Sequence, residues 1–109
     1  MELSEIKSKL DTLNIPVAYM HFKKPQNLPF AVYYEAGTEI KGADHYNLYR
    51  EVTITIELYT EKKQPELERQ LENLFRDVEI DKTPDIYIKD EDMYMTTFSF
   101  DTIQYIKED

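Results

Sequence analysis

The sequence predicts one α+β domain over residues 1–109, with a mainly antiparallel sheet of about five strands and two helices on one face. Three observations predict it. Residues Arg50 to Thr60 alternate strictly, with Val52, Ile54, Ile56 and Leu58 facing one way and Glu51, Thr53, Thr55, Glu57 and Tyr59 the other. Two stretches instead carry apolar residues at three- and four-residue steps, the spacing of a helix face. The links between neighbouring strand segments are hairpin-like, which favours antiparallel neighbours.

The elements follow in the order α-β-β-β-α-β-β. Leu3, Ile6, Leu10 and Leu13 share one face of a first helix, which Asn14 and Pro16 end. A short extended run covers Val17 to Phe22, and Lys23 to Pro29 is a turn with two prolines. Phe30, Val32, Tyr34 and Ala36 then alternate with Ala31, Tyr33 and Glu35 as a strand. Both glycines lie just beyond, so Gly37–Asn47 is expected to be a long, mobile loop. The Arg50–Thr60 strand is central, because β-branched residues stand on both its faces.

Pro65 suits the first turn of a second helix, whose stripe is Leu67, Leu71, Leu74, Phe75 and Val78. Glu66 and Glu68 sit near its positive end and Arg76 near its negative end. Ile86–Ile88 is a short strand. Tyr94, Thr96, Phe98 and Phe100 form one face of the last, and Ile103 and Tyr105 break that phase, which suggests a bulge near Asp101-Thr102.

Composition narrows the function. With 41% hydrophobic and 32% charged residues the chain falls among folded proteins. It has no cysteine, so disulfides, thiolate nucleophiles and cysteine-bound zinc are excluded. No stretch approaches the ~20 apolar residues of a membrane helix, and Met1–Glu5 lacks the pattern of a signal peptide. Twenty-two acids against thirteen bases leave a net charge of −9, which repels phosphate backbones and argues against specific nucleic-acid binding.

Catalytic parts are sparse. His21 and His45 are far apart and lack a metal-ligand spacing, and each is read first as a surface or hydrogen-bonding residue. Asp90-Glu91-Asp92 could offer oxygens to a hard cation, but lacks the glycine and spacing of a calcium loop and reads as a solvated turn. Two glycines cannot build a phosphate-binding loop. No enzyme activity, metal or other cofactor is expected.

The nine tyrosines fall on strands or their edges. One reading is β-propensity on a half-exposed sheet; the other is a protein interface, where tyrosine is enriched. Tyr33, Tyr59 and Tyr87 are placed opposite the aliphatic faces. With Gly37, Glu39, Lys41, Asp44 and His45 of the glycine-flanked segment, they form the candidate interface.

Pro29-Phe30-Ala31-Val32-Tyr33-Tyr34-Glu35-Ala36-Gly37, Ala43-Asp44, Ile54 to Lys63 and Pro65-Glu66-Leu67-Glu68 together resemble a family of tail-terminator, tail-completion or head–tail joining proteins. These belong to siphophages and prophages of Gram-positive hosts. The resemblance spans nearly the whole chain, and its motifs are structural. It implies a homo-oligomer, commonly a hexameric ring, that caps the tail tube and offers a surface to head-completion or connector proteins. Its partners would include the major tail tube protein, and its place would be the virion tail, assembled in the host cytoplasm. Heterologous ring contacts need exposed sheet or loop surfaces and no cofactor, and an acidic lumen would not hold passing DNA. The alternative is a small cytosolic binding or regulatory module with a ferredoxin-like sheet.

Overall fold

β3 (Tyr46–Thr60) is the axis of the molecule. Its alternation buries Val52, Ile54 and Ile56 completely and Leu58 almost so. Each such side chain contributes about 1.5–3 kcal/mol by leaving water. Antiparallel neighbours flank it on both sides: β2 (Phe30–Ala43) and β6 (Met93–Tyr105). The computed structural model describes residues 1–43 and 46–106.

The complete order is α1 (Leu3–Asp11), β1 (Val17–Tyr19), β2, β3, α2 (Pro65–Leu74), β4 (Asp81–Lys82), β5 (Ile86–Ile88) and β6. The fold is α+β, with a six-stranded mixed sheet ordered β1-β2-β3-β6-β4 and β5 also pairing with β6. β1 pairs parallel with β2, and the remaining pairings are antiparallel. The sequence reading therefore missed one strand and one parallel pair. β4 is two exposed, charged residues with no periodic pattern to reveal it. The link between β1 and β2 is no hairpin: it carries the chain back along the sheet so that both strands run the same way.

Both helices cover one face. Ile6 and Leu10 of α1 and Leu67 and Leu71 of α2 join the β3 aliphatics, Phe75, Phe98 and Phe100 in a single core. A reciprocal Glu2–Glu5 capping box starts α1. Pro65 occupies the start of α2, where its missing N–H costs nothing. α2 stops at Leu74, so Arg76 lies outside it and no basic residue occupies its last turn. Phe75, just past the end, stacks on Phe100 at 4.9 Å between ring centroids.

Glu68, near the positive end of the α2 dipole, is only 2% exposed. Its carboxylate accepts from Lys63 at 2.8 Å and lies 2.7 Å from Lys82, so two cations from flanking segments compensate its burial. Lys63 also reaches Asp85, which accepts from the Thr96 hydroxyl at 2.8 Å. This network ties α2, β4 and the approach to β5 to the sheet.

Three further expectations are corrected. On β2 it is Ala31 and Tyr33 that face the helices, while Phe30, Val32 and Tyr34 take the other face, opposite Tyr59, Glu57 and Thr55. Both β2 faces are apolar here, so alternation alone cannot choose between them; small Ala31 leaves room for the helix layer. β6 has no bulge near Asp101-Thr102, since its register with β3 runs unbroken from Tyr94 to Tyr105. Its inward face simply turns polar at Thr102 and Gln104, because the Met1 amine donates to Thr102 Oγ1 at 2.8 Å and Gln104 Nε2 donates to the Met1 carbonyl.

The expected loop Gly37–Asn47 is mostly strand. Residues 37–43 continue β2, residues 46–47 begin β3, and Asp44 and His45 lie outside the described residues. Two irregularities, at Glu35/Gly37 and Lys41/Gly42, bring one extra residue into each strand and leave the hairpin in register overall. Neither glycine has a positive φ, so the conformational licence that suggested a loop is unused. The result is a molecule of 52 × 28 × 24 Å exposing 7655 Å², against roughly 6,400 Å² for a chain of this mass.

An added Cβ at Gly37 would meet nothing within 4 Å. Gly37→Ala is therefore expected to raise stability by about 0.5 kcal/mol in urea unfolding, by restricting the unfolded chain. A loss would show that the strand geometry at 37 is wrong. Lys63, aided by the Thr96 hydroxyl, holds the Asp85 carboxyl below its ordinary value. The folded form thus resists protonation more than the unfolded chain, and its contribution is present above the ordinary carboxylate range and lost as pH falls through the lowered folded value. Asp85→Asn should flatten the acid limb of stability against pH, with wild type and variant converging near pH 2; an unchanged limb would contradict the network.

Candidate interaction surfaces

The sheet face away from the helices is largely open, and at one end the segment after β1 arches over it. Met20 sets the arch. Its φ is 68°, and the His21 N–H donates to the Tyr19 carbonyl at 2.7 Å, a tight γ-turn that a methionine adopts at a cost of about 1–2 kcal/mol. The Met20 N–H donates to the Tyr33 carbonyl, which anchors the turn to β2.

Beneath the arch lies a groove of about 500 Å³, whose lining includes the apolar Phe22, Phe30, Val32, Tyr59, Ile88 and Met93 and the polar His21, Lys23, Lys24 and Glu57. Phe22 meets Phe30 edge-on at 5.5 Å, and Phe30 stacks on Tyr59 at 5.0 Å. Such pairs add about 0.5–1.5 kcal/mol beyond burial and keep the rings upright. Tyr59 and Tyr34 donate to the two oxygens of Glu57, at 2.8 and 2.9 Å. Burial, reinforced by the Glu57 carboxylate, pushes both phenols above the ordinary tyrosine value, most strongly at Tyr59. Both hydroxyls therefore stay protonated at neutral pH, and Glu57 has each oxygen engaged. The chemistry on offer is apolar and aromatic packing beside two lysines.

The second surface is the far end of the three long strands. Beyond Val52 the core ends, and Ile40, Leu48, Ile103 and Tyr105 are exposed, Tyr105 at 75%. On the open side Glu39 stands opposite Glu51, and Lys41 opposite Tyr49. Lys41 lies 2.9 Å from Glu39, which lowers the acid and raises the base, each chiefly through the hydrogen bond to the other.

The residues expected to form one interface are separated. Tyr33 is 6% exposed, in the core, edge-on to Tyr19 at 5.3 Å, because β2 turns that face inward. Tyr59 lies in the groove. Glu39 and Lys41 are about 26 and about 33 Å from it along β3, at 3.3 Å per residue, with Gly37 between. Tyr87 is exposed beside Tyr94, whose β3 partner is Thr60, and so stands on the opposite side of the sheet from Tyr59; its hydroxyl donates to Asp92 at 2.7 Å. Asp44 and His45 lie outside the described residues. The groove escaped sequence reading, although Phe22 and Phe30 flanking a proline-rich turn were its available signal. Among the described residues no group of three or more His, Asp or Glu is placed to hold a metal ion, and no helix is long and apolar enough to cross a membrane.

No protein-family model matches the chain, and no curated protein matches it.

The turn at Met20 is testable by substitution. Met20→Gly removes the left-handed penalty, offset partly by glycine's chain entropy, and should change stability by less than about 1 kcal/mol. Met20→Val, β-branched, should destabilise by at least about 1 kcal/mol. A valine variant as stable as the glycine variant, by thermal unfolding, would contradict the turn.

Proposed function

We propose that the protein is a structural subunit of a phage or prophage tail, capping the tail tube as a ring and presenting the surface that joins head to tail. The observation that carries this reading is the blade of β2, β3 and β6. It runs past the helices, keeps one sheet face open, and ends in exposed Ile40, Leu48, Ile103 and Tyr105. An elongated α+β subunit with such an end suits repeated heterologous contacts around a ring. The tail-terminator resemblance supplies the rest: six subunits, a tail tube protein on one side, a head-completion or connector protein on the other, and a place in the virion. In this reading no catalysis or cofactor is required. The net charge of −9 also suits a lumen that lets DNA pass.

Electron microscopy of particles made without this protein tests the proposal. Tubes of uncontrolled length, or tails unable to join heads, are expected, and added protein should restore fixed-length tails. Normal virions in its absence would overturn the assignment. The groove under Met20–Gln26 favours a second reading, a small cytosolic binding module. Normal virions together with saturable binding of an apolar peptide at the groove would favour that one instead.

A further inference from the structure

The outer edge of β2 is uncovered over much of its length. β1 pairs only with Ala31 to Tyr33, and the Tyr19 hydroxyl takes the Glu35 N–H at 3.2 Å. From Ala36 to Ala43, among the described residues, no strand and no backbone hydrogen bond lies on that side, and residues 36–42 are all exposed. Such an edge presents a row of unpaired N–H and C=O groups, the template for another strand.

We propose that this edge pairs with the same edge of a second copy, antiparallel, about a two-fold axis at Ile40. A two-fold axis perpendicular to the sheet must bring one residue opposite its own copy, because opposed residues share a face. Centring on Glu39 would set two carboxylates against each other. Centring on Ile40, midway along the free edge, sets Ile40 against Ile40 and each Glu39 against the other copy's Lys41. That register is self-complementary in charge and in apolar contact.

The isolated subunit has a matching deficit. Glu39 faces Glu51 directly across the β2–β3 pair, an unfavourable like-charge placement, and Asp101 adds to the negative field at Glu39. Within the copy, Lys41 is the cation beside Glu39. The second copy brings another lysine to Glu39, and the 55% exposed Ile40 gains an apolar neighbour. An isologous pair closes at two, which removes the open edge from unlimited polymerisation. The pairing is independent of the tail reading and concerns the free protein.

Charge reversal tests the register. By analytical ultracentrifugation at low salt, wild-type protein should show a concentration-dependent monomer–dimer equilibrium. Glu39→Lys and Lys41→Glu alone should each weaken dimerisation at least tenfold, since like charges then oppose. The double variant E39K/K41E should recover the wild-type dimer, and mixing the two single variants should yield a heterodimer. These positions are exposed, so circular dichroism of each variant should match wild type. The chain has no cysteine, so Ile40→Cys should also form a single, symmetric crosslinked dimer on oxidation. Monomers at every concentration, single reversals that dimerise like wild type, or mixed variants that remain apart would overturn the proposal.

Discussion

The inward alternation of β3 is the constraint on which everything else depends. Val52, Ile54, Ile56 and Leu58 must be buried together, so a layer must cover them, and α1 and α2 supply it with Ile6, Leu10, Leu67 and Leu71. β2 and β6 then flank β3 along most of its length, because a central strand leaves no backbone group unpaired on either side. The helices are short, so their layer covers only part of the long sheet. The exposed end of the three long strands follows from that mismatch of lengths, while the open face with its groove is the side that neither helix covers.

Polar groups do at the margins what aliphatics do in the middle. Where the core thins, Met1 closes the end of β6 through Thr102, Ile103 and Gln104. At the other margin Glu68 is buried between Lys63 and Lys82, with Lys82 also 5.5 Å over the Phe98 ring. A lone buried carboxylate would be costly. Held by two lysines that stay partly in water, it fixes how α2 sits on the sheet more than it adds net stability.

Much of this was legible in the sequence, for a physical reason in each case. β3 and the two helices announce themselves because one face of each is apolar and the other is not. β2 does not, since Phe30 and Val32 compete with Ala31 and Tyr33 for the core, and only the helix layer decides. Gly37 and Gly42 suggested a loop, yet neither uses a positive φ, and the hairpin runs through both with compensating irregularities. β4 carries no pattern at all. Of the candidate site, Tyr59, Glu39 and Lys41 stand exposed or half-exposed on the open side, whereas Tyr33 is core and Tyr87 lies across the sheet. The groove depends on a chain reversal at Met20, and a left-handed methionine leaves no mark in composition or periodicity.

The central claim is that residues 37–43 are sheet, built outward from β3. Residue-resolved amide hydrogen exchange of the monomer tests it most directly. Amides of Val52 to Leu58 should be the slowest in the protein, and in residues 37–41 protection should alternate, slow where the N–H faces β3 and fast where it faces the open edge. Uniformly fast exchange across residues 37–43 would contradict the account, for it would mean that these residues are a loop and the β2–β3 pair ends at Glu35.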